Sequence, residues 1–296
     1  MFKQIVVGVD GQPGGRDATE LAKNLAANSA DITLAHIYPG DPHIRRGAGG
    51  AYEAAARTRA GELLKRSREE ARIDAHLRWH GSPSPGRGLH ELCDELDADL
   101  LVVGSSRRGL LGRVLIGDDT QSALNGAPCA IAIAPAGYLS EPVAMREIGV
   151  GYDGSPESEH ALDVARELAR RCDAKLSAFQ AASLPAIAYS GAMLSLGEAV
   201  EALVEEARSN IEGLGDVEPH AAFGQPAEEL SVYSASLDLL IVGSRGYGPL
   251  GRLIYGSTSG QLARTARCPL LVLPRAASTT ELPEDADENA DVVAAS

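Results

Sequence analysis

The chain alternates short, nearly unbroken apolar runs with longer stretches in which apolar residues recur every third or fourth position. Residues 4–9 (QIVVGV) are the first such run, apolar on both faces, as a strand covered on both sides must be. After Asp10-Gly11, residues 15–28 place Ala18, Leu21, Ala22, Leu25 and Ala26 on one face of a helix. The pattern then predicts a strand over 31–37, an irregular Gly/Pro-rich loop, a long charged helix over 52–72 and a strand over 75–80. A helix over 88–96, a strand over 99–103, a glycine-spaced loop, a helix near 118–126 and a strand over 129–134 follow. Such alternation implies βαβ units, a parallel sheet and helices on both of its faces.

The plan then starts again. Strands are predicted over 148–152, 175–181, 220–223, 237–242 and 269–273, and helices over 157–171, 196–212 and 226–236, with a last one opening at Ser257-Thr258. Gly8-Val9-Asp10-Gly11 reappears as Gly151-Tyr152-Asp153-Gly154, and Gly104 and Gly117 keep the spacing of Gly243 and Gly256. One domain has been duplicated in tandem. The copies span residues 1–138 and 146–276, joined by the Pro/Gly-containing segment from Pro135 to Met145. Residues 277–296 are acidic and poor in large apolar side chains, so a disordered, solvating tail is expected there.

Charge and cysteine usage narrow the classes. A formal net charge of −14 over 296 residues argues against sequence-independent nucleic-acid binding and against anionic membranes. No apolar run approaches a bilayer span, and the N-terminus lacks a signal-peptide plan. Cys93, Cys129, Cys172 and Cys268 are scattered with no C-x-x-C pair, which points to reduced thiols in a cytoplasmic protein.

The chemistry concentrates between Val242 and Thr258. Here an apolar strand runs into a loop with glycines at 243, 246 and 256, and a helix opens at Ser257. Unpaired backbone N–H groups and a helix N-terminus suit phosphate oxygens. Glycine at 243 and 246 lets backbone approach a ligand, and Ser257 would also cap its helix. Asp153 ends its strand in Asp-Gly-Ser-Pro, which is a good turn by itself as well as an acceptor for hydroxyl or amine groups.

Strand-Asp-Gly at the first turn together with Gly-x2-Gly-x9-Gly-Ser after the fourth strand resembles the universal stress protein family in its tandem form. The resemblance spans residues 1 to about 275. It implies two Rossmann-like, doubly wound α/β domains, each with a five-stranded parallel sheet of order 3-2-1-4-5, and ATP at the switch point between the first and fourth strands. Carried over by position, the second-domain site comprises Asp153, Ala181, Gly243, Ser244, Arg245, Gly246, Gly256, Ser257 and Thr258. In the first domain Asp10, Ile37, Gly104 and Gly117 hold the matching places, but Arg107 replaces the second glycine and Asp118 the serine. An arginine Cβ obstructs close backbone approach, and a carboxylate repels phosphates. The resemblance also implies that strands 129–134 and 269–273 pair antiparallel and join the domains as an intrachain pseudo-dimer, which would cover two otherwise exposed edges.

Three functions fit these residues. One is an ATP-binding regulator or sensor with little or no turnover, not an enzyme in the ordinary sense. The second is a slow ATPase, although neither loop has the Walker form and neither carries a lysine. The third is a scaffold for a protein partner, with vestigial pockets, alone or as a homo-oligomer. Magnesium enters only as the companion of ATP, because no carboxylate cluster calls for it.

Overall fold

The structure, a computed structural model, describes residues 2–40, 49–105, 125–140, 144–183, 196–244 and 256–274. The first repeat contributes β1 (Phe2–Gly8), β2 (Ala26–Pro39), β3 (His76–Ser82), β4 (Leu100–Gly104) and β5 (Ala130–Ala134). The second contributes β6 (Glu147–Gly151), β7 (Lys175–Ala182), β8 (Glu218–Phe223), β9 (Leu239–Gly243) and β10 (Leu270–Leu273). The described helices are α1 (Pro13–Leu25), α2 (Gly49–Ala71) and α3 (Pro85–Glu95), then α4 (Pro156–Cys172), α5 (Leu196–Glu212), α6 (Pro226–Tyr233) and α7 (Ser257–Thr265).

Helices α1, α3, α4 and α6 start at or ahead of the positions their periodicity suggested, each with proline in its first turn. Proline's missing N–H costs nothing there, because the first N–H groups of a helix have no internal partner. Strand β2 begins before residue 31, since Ala26 already pairs with Phe2 before the register shifts to Gln4 opposite Asp31. Within the span expected to hold a helix near 118–126, Asn125 and Gly126 form a turn, and the rest lies outside the described residues. So do residues 41–48, 141–143 and the acidic tail.

All ten strands form one sheet in the order β3-β2-β1-β4-β5-β10-β9-β6-β7-β8. Each repeat is therefore a parallel 3-2-1-4-5 sheet, and the two meet where β10 pairs antiparallel with β5, Leu271 opposite Ala132. The apolar residues divide by strand alternation. Val7, Leu34, Val102 and Ile241 face a core that includes α1, α4, Leu64 of α2 and Ile211 of α5. Val6, Ala35, Leu101 and Leu240 face the other, with Leu89 and Cys93 of α3, Leu230 of α6 and Leu262 of α7. Both cores run through both repeats.

Polar contacts reinforce the joint. Asp17, only 3% exposed, accepts from the N–H groups of Gly137 at 2.9 Å and Leu139 at 2.8 Å. Arg171 of α4 donates to the Asn24 carbonyl at 2.8 Å and to the Ala26 carbonyl, placing a cation at the carboxyl end of α1. Within each repeat one carboxylate anchors the start of the first strand. Asp99 accepts from the N–H groups of Lys3 and Gln4, and Asp238 from those of Arg146 and Glu147.

Candidate functional site

In the second repeat the chain leaves β6 toward β7 on one side and β9 lies on the other. At that switch point the loops part and leave a crevice. The cavity there measures about 280 Å³. One wall is apolar: Phe179 and Ala181, two residues apart and so on the same side of β7, face Pro226 and Leu230 of α6. Phe179 is held by stacking on Tyr233, with ring centroids 5.0 Å apart. Burial and the neighbouring carboxylates Glu159 and Asp153 push the Tyr152 phenol upward, so this lining group stays protonated.

The opposite wall is the turn from β6 into α4. Asp153 Oδ1 accepts from the Ser155 N–H at 3.0 Å and from its hydroxyl, while Ser155 accepts from the Ser158 N–H at 3.3 Å and so caps α4. Asp153 is thus a turn residue, as its local sequence allowed, and its exposed Oδ2 has no partner among the described residues. Both roles coexist.

The floor is Val242-Gly243-Ser244. Glycine at 243 answers first to packing, because a Cβ there would lie 2.6 Å from the Glu157 carbonyl oxygen of α4. The expectation that its missing side chain serves the ligand's approach is corrected to that extent. Ser244 is 2% exposed, its N–H donates to the Leu273 carbonyl at 2.9 Å, and its Oγ has no hydrogen-bond partner among the described residues. A buried hydroxyl left unpaired is costly, so its place in a cavity wall is informative. Only two other buried side-chain atoms among the described residues share that state, Ser82 Oγ and Gln180 Oε1, and neither lines this cavity.

The far side comprises Gly256, Thr258 and Ser259. Here the sequence expectation needs correcting. The N-cap of α7 is Gly256 and not Ser257, and Ser259 Oγ reaches back to accept from the Gly256 N–H at 3.2 Å. Ser257 is exposed and lies off the cavity wall. Arg245 and Gly246 lie outside the described residues. Phe179, Leu230, Glu157 and Ser158 line the cavity without having been anticipated. The first two were accessible from periodicity, Phe179 sharing a face with Ala181 and Leu230 lying about one turn into its helix.

The first repeat is built differently at the matching place. Asp10 Oδ1 accepts from the Gln12 N–H at 2.9 Å, the same turn as at Asp153. Ile37 stands where Ala181 stands, two residues beyond the carbonyl that accepts from Val9 or Tyr152. Its branched side chain packs on α3, so that a Cβ at Gly88 would lie 2.7 Å from Ile37 Cγ2. Gly104 abuts the Gly14 backbone of α1 as Gly243 abuts Glu157. Gly117, Arg107 and Asp118 lie outside the described residues. No group of three or more His, Cys, Asp or Glu side chains suited to a metal occurs among the described residues, and no helix there is long and apolar enough to cross a membrane.

Comparison with known proteins adds the following. The family model described as the universal stress protein family matches residues 1–135 and again 145–274. A universal stress protein of Mycobacterium tuberculosis is 30% identical over 287 residues, covering 90% of this chain and 96% of that protein. A second from the same organism is 28% identical over 293 residues, covering 91% and 99%. The crystal structure of a universal stress protein from Archaeoglobus fulgidus superposes with a TM-score of 0.64 at 17% identity, covering 92% of this chain and 98% of that one. At that identity the likeness shows the fold.

Proposed function

The chain belongs to the universal stress protein family, and from that premise we propose that its second repeat binds an adenine nucleotide, ATP with any accompanying magnesium, and acts as a nucleotide-dependent regulator or sensor with little or no turnover. The observation that carries the reading is Ser244 Oγ, a buried hydroxyl with no partner among the described residues, in the wall of a cavity at the switch point. A phosphate oxygen would supply the acceptor it lacks.

In this reading Phe179 and Leu230 form a shelf for the adenine ring, with the Ala181 backbone at its edge. Asp153 Oδ2 accepts from ribose hydroxyls. Ser244, Thr258 and the amides at the start of α7 donate to phosphates. Magnesium would arrive on the phosphates, since Asp153 and Glu157 are the only carboxylates on the described wall. That wall holds neither histidine nor lysine, and in this reading Asp153 is committed to the ribose, so little or no turnover is expected. The regulated protein would read the filled cleft. We place that exchange in the cytoplasm, where four free cysteines, three of them buried, stay reduced.

Calorimetric titration of nucleotide-free protein with ATP tests the proposal. Saturable binding with ADP release far below the enzymatic range of about 1–1,000 per second supports it. No saturable heat up to about 1 mM ATP, an affinity limit near −4 kcal/mol, removes it. Turnover in the enzymatic range, abolished by Ser244→Ala, would replace it with the ATPase reading.

A further inference from the structure

The first repeat carries a cavity of its own, on the other face of the sheet. It measures about 420 Å³ and lies between the Asp10-Gly11-Gln12 turn with α1 and the length of α2. Its apolar floor, Val9 and Leu63, belongs to the core that faces α1 and α2, whereas the second repeat's cleft borders the α6 side through Phe179 and Leu230. This opening lies on the α2 side of the first repeat, while Ile37 packs against α3 on the other side.

Three guanidinium groups reach this cavity, Arg16, Arg59 and Arg66, in a chain of net charge −14. Arg59 and Arg66 are two turns apart on one face of α2, and neither has an ion pair among the described residues. Arg16 has only a long contact with Glu70, at 3.8 Å. Asp10, Glu62 and Glu70 also line the cavity, so three carboxylates stand among the three cations as hydrogen-bond acceptors. The wall is specific to this repeat. Gly11, at φ +79°, packs against Leu63, while Gly154 in the matching turn has nothing nearby. The α1 position of Arg16 is held by Glu159 in α4.

We propose that this cavity is a second ligand site, for a small phosphate ester that also carries hydroxyl groups. Guanidinium forks bind phosphate oxygens in pairs, which Arg66 and the two Nη groups of Arg59, whose Nε donates to the Ala55 carbonyl at 3.3 Å, are placed to do. The carboxylates of Asp10 and Glu62 would repel a bare anion, but they accept from hydroxyl groups on the same molecule. A polyol phosphate satisfies both sets, and the volume lies within the usual range for small-ligand sites. On this account the first repeat carries a phosphate site on the α2 side of the sheet.

The test titrates the full chain with ribose 5-phosphate, inorganic phosphate and ribose. Ribose 5-phosphate is expected to bind saturably, more tightly than inorganic phosphate, and ribose not at all. Arg66→Ala should weaken it about tenfold or more, and the Arg59→Ala/Arg66→Ala pair should abolish it, with the thermal midpoint unmoved because both side chains are exposed. Glu62→Gln should weaken it too, whereas simple charge attraction would make that variant bind more tightly. The proposal is overturned by the absence of saturable ribose 5-phosphate binding below about 10 mM, by unchanged affinity in the double arginine variant, or by tighter binding in Glu62→Gln. ATP binding in the second repeat is independent of these residues, so the double variant should retain it, and failure of either site leaves the other standing.

Discussion

Single atoms decide what the candidate cleft does. Ser244 Oγ makes no hydrogen bond among the described residues, so Ser244→Ala removes no contact described there. The urea midpoint should stay level or rise slightly, while ATP binding should weaken by about 1 kcal/mol, roughly fivefold. A clear loss of stability with unchanged ATP affinity would mean that the hydroxyl serves the fold. Gly243→Ala should behave in the opposite way. Its Cβ would meet the Glu157 backbone and cost about 1–3 kcal/mol of stability, as overpacking does. Gly104→Ala should match it, because Gly104 meets the Gly14 backbone in the same manner. If Gly243→Ala changed ATP affinity alone and left the urea midpoint in place, the packing role would be wrong.

Among the elements, β5 and β10 have the most to lose. Each is completely covered only because the other lies beside it, with Leu270, Leu271 and Val272 opposite Ile133, Ala132 and Ile131. A fragment of residues 144–276 would present the open side of β10 as an unpaired apolar edge. It is expected to dimerise through β10, replacing the intrachain pseudo-twofold by a true one. Sedimentation of the fragment checks this, and a stable monomer at about 10 µM, a concentration at which specific interfaces assemble, would count against it. Surface ion pairs matter less. Arg166 holds the Asp216 carboxyl below its ordinary range through bonds of 2.7 and 3.0 Å, and Arg87 with His80 does the same for Glu91. A lowered folded-state value contributes stability above the unfolded carboxylate value, near about 4, and loses it as pH falls further. The urea midpoint should therefore decline below that pH, and less steeply in Asp216→Asn. Both sites are largely exposed, so the effect should be small.

At the scale of the whole molecule the two repeats are one fold with unequal sites. The second keeps Gly246 and Ser257 where the first has Arg107 and Asp118, and it has Ala181 where the first has Ile37. One tight ATP site per chain is expected. Gly246→Arg, which copies the first repeat's residue into the second, should lower affinity sharply and leave the urea midpoint in place. Two equally tight sites in the unmodified chain would show that the asymmetry has been misread.

Periodicity and repetition were enough to read the tandem duplication, the parallel α/β plan and the turn that holds Asp153. All of these depend on neighbours within a few residues, or on one repeat resembling the other. The resemblance to a known family supplied the strand order and the β5–β10 joint, which no local signal encodes. Tertiary structure alone decided the rest, because it depends on which backbones approach across the sheet. Glycine at 243 reads equally well as a ligand's doorway or as space for a helix, and only the Glu157 carbonyl 2.6 Å from its virtual Cβ separates the two. The cap of α7 moved from Ser257 to Gly256 because the hydroxyl that turns back belongs to Ser259. Ile37 and Ala181 are both apolar strand ends in the sequence. Packing of Ile37 on Gly88 is what separates them, setting a branched side chain against α3 where the second repeat has the small Ala181 at its cleft.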